Sequence, residues 1–322
     1  MAPTFAPAGA LRTTQLTLKL HRFELVAFVV FGALGFVLAF VVGARLDALH
    51  FDARCADSTG VIQPPPACQA LMERFYNMVN NEAGKVSVIL TAVPFLGALL
   101  LGTPIVGREI ERGTTRLAWA LAPSRLRWFL QRLLPVLAIV AVGTFVLGIA
   151  ADRLIRSTAP DLDPANSFAE MGARGAVLAA RAVFVFALAV PIGAVMGRML
   201  PALIVAGIVT YIGLSGGASV HQRILRSEAV PLDTAGPGDL QFDQRFRLPD
   251  GRLVTYDEVA QYDPPPTDPN FSGQWPTLPM VTIAVPGSRY HDYELREVAV
   301  LAGGSLVALM ATALIISRRR PG

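Results

Sequence analysis

The sequence predicts an all-α membrane protein with six spanning helices, and three observations carry that prediction. First, six apolar stretches stand out: Leu25–Gly43, Val86–Gly107, Leu133–Ala151, Gly175–Gly197, Met199–Ser219 and Val298–Ser317. Each is near or above the ~18 residues a helix needs to cross ~30 Å of hydrocarbon at ~1.5 Å per residue. Second, these stretches are apolar on every face, whereas a core helix of a soluble protein keeps a polar face toward water. Arg181 is the one charge inside any of them. Third, the basic residues gather in alternate loops, as the sidedness of a multi-pass protein requires.

The charges set the topology. Arg12, Lys19 and Arg22 precede the first span, and Arg108, Arg112, Arg116, Arg125, Arg127 and Arg132 separate spans two and three. Arg198 separates spans four and five, and Arg318–Arg320 follow span six. All of these fall on one side, with only Glu24, Glu109 and Glu111 as acidic company. Short basic loops stay in the cytoplasm, so both termini are expected there, in a plasma membrane. The basic residues then serve topology and lipid headgroup contact; nucleic acid is not an expected partner.

Taken in order, Met1–Ala10 reads as a tail and Leu16–Glu24 as a short amphipathic helix on the inner membrane surface. The first apolar run is too long for a signal-peptide core of about 7–15 residues, so it is expected to be a retained helix. The loop from Ala44 to Lys85 carries the only two cysteines, Cys55 and Cys68, on the side expected to be outside. An even pair in an oxidising compartment suggests a disulfide; two free thiols are the alternative. After Pro64–Pro66, Cys68–Asn80 reads as a helix leading into span two.

Between spans five and six lies a proline-rich loop of residues 220–296. Asp243–Leu248, the turn Pro249-Asp250-Gly251 and Arg252–Tyr256 read as strand, turn and strand; Met280–Val285 is another strand candidate. The expected layout is residues 1–219 with the first five spans, an external cap with some β structure over 220–296, and span six with a basic tail over 297–322.

The loop between spans two and three is the most specific signal. Gly113 tolerates the left-handed conformation that ends a helix. Thr114 or Thr115 is placed to cap a new helix, Pro123 to end it, and Ser124 to cap the next. A helix of about two turns is thereby expected across the cytoplasmic face. The segment Arg108-Glu109-x-Glu111-x-Gly113-Thr114, followed by Pro123-Ser124-Arg125, resembles that of ABC-2-type transporter permeases, most strongly the small bacterial members. The six-span layout, cytoplasmic termini and large external loop before span six are also similar. The large first external loop with its cysteine pair is a departure.

The resemblance implies the membrane subunit of a bacterial ABC exporter, paired with a second copy or a homologue and driven by ATPase subunits that bind ATP and magnesium. This chain has no Gly-x-x-x-x-Gly-Lys phosphate loop: Lys19 follows a leucine, and Lys85, though preceded by Gly84, has Val79 where the first glycine would stand. It is therefore expected to be no enzyme itself and to hold no cofactor or metal. The same resemblance implies that Arg108, Glu109, Glu111, Arg112, Gly113, Thr114, Arg116 and Arg125 couple to the ATPase, with Arg198 in a lesser contact. Ordinary loop charge and capping is the alternative for these residues.

Inside the spans, Arg181 either faces a central cavity and meets an anionic substrate or snorkels to the outer interface. Arg174 lies two turns earlier, and Glu170 precedes it by four residues, a spacing suited to a helix pair. Thr210 and Tyr211 are candidates for lining a pathway in span five. Apolar spans suit a hydrophobic or amphipathic cargo such as a drug, antibiotic or lipid. A membrane sensor or assembly protein that never transports is the alternative function, with the cap binding a ligand or partner.

Overall fold

The computed structural model describes residues 15–49, 66–121, 124–159, 162–263 and 276–319. Among them are six helices long and apolar enough to cross a membrane. They coincide with the six predicted runs, and all but the fourth extend well beyond their apolar stretch. Cys55, Pro123 and Met1–Ala10 lie outside the described residues.

The chain divides into two compact units. The first comprises residues 1–160, 170–213 and 294–322. A helical segment at 15–20 turns at His21 into α1, Arg22–Ala48. Helix α2, Pro66–Met78, leads toward span two, as the sequence suggests. A π turn at Val79–Ala83 carries it into α3, Gly84–Gly102, and α4, Pro104–Glu111, continues the same axis. Single π turns commonly sit inside long helices. The short α5, Thr115–Leu121, then leads to α6, Arg125–Thr158, and α7, Gly175–Met196.

Helices α1, α3, α6 and α7 pack as a four-helix bundle, with α4 laid along α7. Leu90, Leu101, Val136, Val140, Phe186 and Val190 are buried at its centre. The α4–α7 contact depends on a missing side chain: a Cβ on Gly193 would run into the backbone carbonyl of Thr103. Hydroxyls within the spans are satisfied locally. Thr103, Thr144, Ser305 and Thr312 each donate to the carbonyl four residues earlier, which removes the cost of an unpaired polar group in hydrocarbon.

Helices α8, Met199–Ser227, and α10, Tyr290–Arg318, supply spans five and six. (The intervening α9 belongs to the second unit.) Only 17% of the most apolar window of each is buried, against 44% for spans two and four. Their outward faces are therefore left to lipid or to another chain.

The expected Glu170–Arg174 helix pair is not formed. Glu170 has a φ of 51° in a turn, and Arg174 is the extended residue that precedes α7. Four-residue spacing brings side chains together only on a helix. Arg174 instead pairs with Asp152 of α6 at 3.2 Å.

The second unit comprises residues 161–169 and 214–293. Its strands are β1, Val230–Leu232, β2, Leu240–Arg247, β3, Leu253–Val254, and β4, Met280–Val285. They form one antiparallel sheet in the order β1-β4-β2-β3, with a bulge in β2 between Gln241 and Asp243. The β2–β3 hairpin turns at Gly251, whose φ is 86°, as the Pro249-Asp250-Gly251 signal implies. The short α9, Tyr256–Val259, is closed by a capping box between Thr255 and Glu258.

Phe246, Leu248, Val254 and Val259 make a small core under the sheet. Residues 161–169 join the unit because Phe168 stacks edge-on against Tyr290 and Tyr293. Glu228 accepts from the Tyr293 hydroxyl at 2.6 Å and from Arg289 at 2.9 Å.

Candidate functional site

The segment after α4 folds as its glycine requires. Gly113 has a φ of 68°, with the Gly113 N–H donating to Ile110 and the Thr114 N–H to Glu109, each at 3.1 Å. This pair of bonds is the Schellman arrangement, which ends a helix and turns the chain sharply. Helix α5 begins two residues later. Ser124 then caps α6, its hydroxyl accepting from the Arg127 N–H at 3.2 Å. A two-turn element is thus bracketed by two sharp stops between spans two and three.

Aromatic and cationic side chains key α5 to its neighbours. Trp119 of α5 meets Trp128 of α6 edge-to-face, with ring centroids 6.3 Å apart. The Arg125 guanidinium lies over the Trp119 ring at 4.6 Å, and Arg132 lies over Trp128 at 4.7 Å. Arg125 also donates to the carbonyls of Ser317, at 3.2 Å, and Arg319, at 2.8 Å. It thereby satisfies carbonyls that the end of α10 leaves unpaired.

The predicted charges reach the remaining spans. Arg108 pairs with Glu24 of α1 and donates to the Leu20 carbonyl at 2.7 Å. Glu109 pairs with Arg132 of α6. Glu111 accepts from the Met199 N–H at the start of α8 at 3.3 Å. Arg319 donates to the Ala194 carbonyl near the end of α7. Arg112, Thr114 and Arg198 are exposed at the same end. Arg116 is in the first turn of α5.

His21 is buried beside this cluster. Burial first, and the Arg108 guanidinium second, push its pKa down to about 4, so the imidazole is neutral at pH 7.

Glu24, Arg132 and Arg319, expected only as charges that set topology, and Trp119, Trp128 and His21, not singled out in the sequence, also join this cluster. Two tryptophans nine residues apart, flanking the step from α5 to α6, were the available signal. Glu24 and Arg319 gave none, because their partners are distant in sequence.

The candidate pathway residues are placed differently. Arg181 is paired with Glu297 of α10 at 2.6 Å and donates to the Gly172 carbonyl at 3.2 Å. Glu297 lies one residue before the predicted start of span six. The span therefore has a counter-charge that the apolar pattern did not reveal. Thr210 is buried, whereas the adjacent Tyr211 is 74% exposed, so the two point away from each other. Cys68 lies in the first turn of α2. Among the described residues no group of His, Cys, Asp and Glu is arranged to hold a metal ion.

Six spans with a short helix between the ends of spans two and three are what comparison with known proteins has to explain. Residues 25–219 match the family model described as ABC-2 membrane transporter related, which covers more than half of the chain. The chain belongs to that family. The match contains spans one to five and all of α5. No curated protein and no solved structure matches the chain. As an ABC-2 family member it is a multi-pass, transporter-type membrane subunit, and the family works with ABC ATPase subunits in general.

Proposed function

We propose that the chain is the permease subunit of an ATP-binding cassette exporter, driven by separate ATPase subunits that dock on α5 and the exposed Arg112 and Arg198. The observation that carries this reading is the connection of α5. Its bracketing turns and its tryptophan touch residues that contact every other span: Arg108 to α1, Trp128 and Arg132 to α6, Arg125 to α10, Arg319 to α7 and Glu111 to α8. A displacement of α5 by a partner loads all of them together. A helix needed only as an anchor has no use for such wiring.

In this reading both termini and α5 face the cytoplasm of a bacterial cell, and the chain lies in its inner membrane. Two permease copies, or this chain and a homologue, enclose the route. Their exposed fifth and sixth spans are the surfaces left for pairing. Two ATPases hold ATP and magnesium below. The cargo is hydrophobic or amphipathic, a drug, antibiotic or lipid, and leaves past the sheet of the second unit. Arg108, Glu109, Glu111, Arg112, Gly113, Thr114, Arg116, Arg125 and Arg198 serve coupling; Arg181 and Thr210 serve the route, with Tyr211 facing outward. Cys55 and Cys68 close the first external loop by a disulfide. A loop of that length contributes about 3 kcal/mol in the chain-entropy model.

The test is affinity purification in mild detergent with identification of co-purifying chains. A soluble subunit with a phosphate loop is expected. Reconstituted with it, Gly113→Trp should retain ATP hydrolysis and lose transport, because an L side chain at a φ of 68° strains the turn that aims α5. Reproducible absence of an ATPase would leave a sensor or assembly role and direct attention to the second unit.

A further inference from the structure

Span six is fastened to its neighbours in two different ways at its two ends. At the end away from the basic cluster, the Arg181 guanidinium of α7 meets Glu297 through Nε at 2.7 Å and through a terminal nitrogen at 2.6 Å. That guanidinium is itself fixed, because it donates to the Gly172 carbonyl at 3.2 Å and fills the space where a Cβ on Gly172 would stand. One turn before Glu297, the Glu294 carboxylate would lie 3.2 Å from a Cβ on Gly175. Two successive positions of α10 are therefore seated on the start of α7.

The basic end is held differently. Arg125 donates to the carbonyls of Ser317 and Arg319, and its guanidinium lies over the Trp119 ring of α5. Arg319, just past the last residue of α10, reaches the Ala194 carbonyl by a long side chain. Between the two ends the contact is smooth. The stripe turned inward, Gly304, Ser305, Ala308 and Thr312, consists of small residues. Ser305 and Thr312 donate within α10, and among the described residues none from 298 to 316 bonds to another helix. The Phe184 ring meets Gly304 where a Cβ would come within 2.9 Å. Span five is as little buried, but Gly197 and Arg198 alone join its basic end to α7, so that end moves with α7.

We propose that span six is the span that answers α5: Arg125 carries its basic end while Glu297 on Arg181 stays in place as the pivot. The proposal rests on the reading of α5 as the docking element and names the span its motion reaches. From Glu297 to Ser317 is about 30 Å of helix, so a tilt of about 10° moves the basic end by about 5 Å, close to one helical turn. Carbonyls at a helix end are interchangeable acceptors, which lets Arg125 and Arg319 keep hold through such a stroke. The Arg181–Glu297 pair has no substitute, which is what a pivot requires. Arg125 acts here as a positioning residue.

The experiment measures distances by pulsed electron resonance in the full chain in lipid nanodiscs. The labels are unnatural amino acids, so that Cys55 and Cys68 are left as they are, and labelled chain is diluted with unlabelled. The basic-end pair is Leu314 with Val195, both exposed; the pivot pair is exposed Leu295 with half-buried Ala176. In the chain alone, the basic-end distances should be more widely spread than the pivot distances, as displacement grows along the lever. Arg125→Gln should widen the basic-end spread only, and Arg319→Gln serves if that variant does not fold. Arg181→Leu with Glu297→Leu should widen the spread at the pivot. Equal spreads at the two ends, or a folded Arg125→Gln that leaves the basic end unchanged, overturn the proposal. With the co-purified ATPase, ATP should shift the basic-end distance by about 5 Å and the pivot distance by less than about 1 Å. Arg125→Gln should abolish that shift. A complex that binds ATP and moves the pivot, or leaves the basic end still, also overturns the proposal. Absence of an ATPase is instead the failure of the docking reading, and the comparison of spreads in the chain alone still decides where span six is hinged.

Discussion

At the basic end of the bundle, arginines reach backbone carbonyls of other helices as well as the carboxylates of Glu24 and Glu109; at the opposite end their pairing is chiefly with carboxylates. Arg125 holds the last carbonyls of α10, and Arg108 and Arg319 hold carbonyls beside α1 and on α7. At the other end Arg153 pairs with Asp47, Arg174 with Asp152 and Arg181 with Glu297. A carbonyl at a helix end is one of several equivalent acceptors, so a helix that rotates or slides has another to offer. A carboxylate on a side chain is unique, and losing it leaves a charge without a partner. The carbonyl contacts tolerate small motions of α5; the carboxylate pairs, Arg108–Glu24 and Arg132–Glu109 among them, fix which helices are neighbours.

The contrast can be broken at its costliest point first. Arg181→Leu leaves the Glu297 carboxylate without its partner, and breaking such a pair from one side costs about 3–5 kcal/mol. Denaturant unfolding in mixed micelles should show that loss, and Arg181→Leu with Glu297→Leu should recover most of it. Transport should fall in the single variant while ATPase docking is kept. A single variant that unfolds at the midpoint of the unmodified protein would mean the pair clamps nothing.

Acidification sharpens the comparison from the basic end. His21 has a folded pKa near 4 against an ordinary value of 6.5, so between these values the unfolded chain binds more protons. Stability from this group is thus complete above pH 6.5 and is lost as pH falls toward 4. The slope is at most about 1.4 kcal/mol per pH unit. Thermal unfolding from pH 7 to pH 5 should show the decline, and His21→Leu should flatten it. An unchanged slope in that variant would assign the decline to other groups.

The smallest effect belongs to α5 itself. In a double-mutant cycle between Trp119→Ala and Arg125→Lys, the pair should couple by about 0.5–1 kcal/mol. Stability will barely register this, whereas the ratio of transport to ATP hydrolysis should drop in each variant. Normal coupling in Trp119→Ala would show that α5 passes load through its backbone alone.

Much of this architecture was legible in the chain. Spans depend on length and apolarity, which are local, and α5 is bounded by Gly113 and Ser124, whose conformational preferences are also local. The β2–β3 hairpin followed from its turn residues. What could not be read was pairing at a distance. Arg125 and its acceptors Ser317 and Arg319 are 192 and 194 residues apart, and Arg108 lies 84 from Glu24. Nothing in sequence spacing selects those partners. The Glu170–Arg174 pairing failed for the complementary reason: its spacing assumed a helix that a left-handed Glu170 interrupts. Arg181 was recognisable as unusual, but its counter-charge sat just beyond the apolar run.

The π turn at Val79–Ala83 has a mechanical consequence. Because it splices α2 onto α3 rather than ending either, the helix from Cys68 to Glu111 runs for 44 residues, a rod of about 66 Å if straight. More than half of that exceeds the hydrocarbon thickness. One tip carries the turn that aims α5; the other carries Cys68. Such a rod is a lever: a tilt of about 5° about one tip sweeps the other through about 6 Å. Pro94, the Thr103–Pro104 junction and the π turn are points of compliance along it, and they decide how much of that stroke arrives.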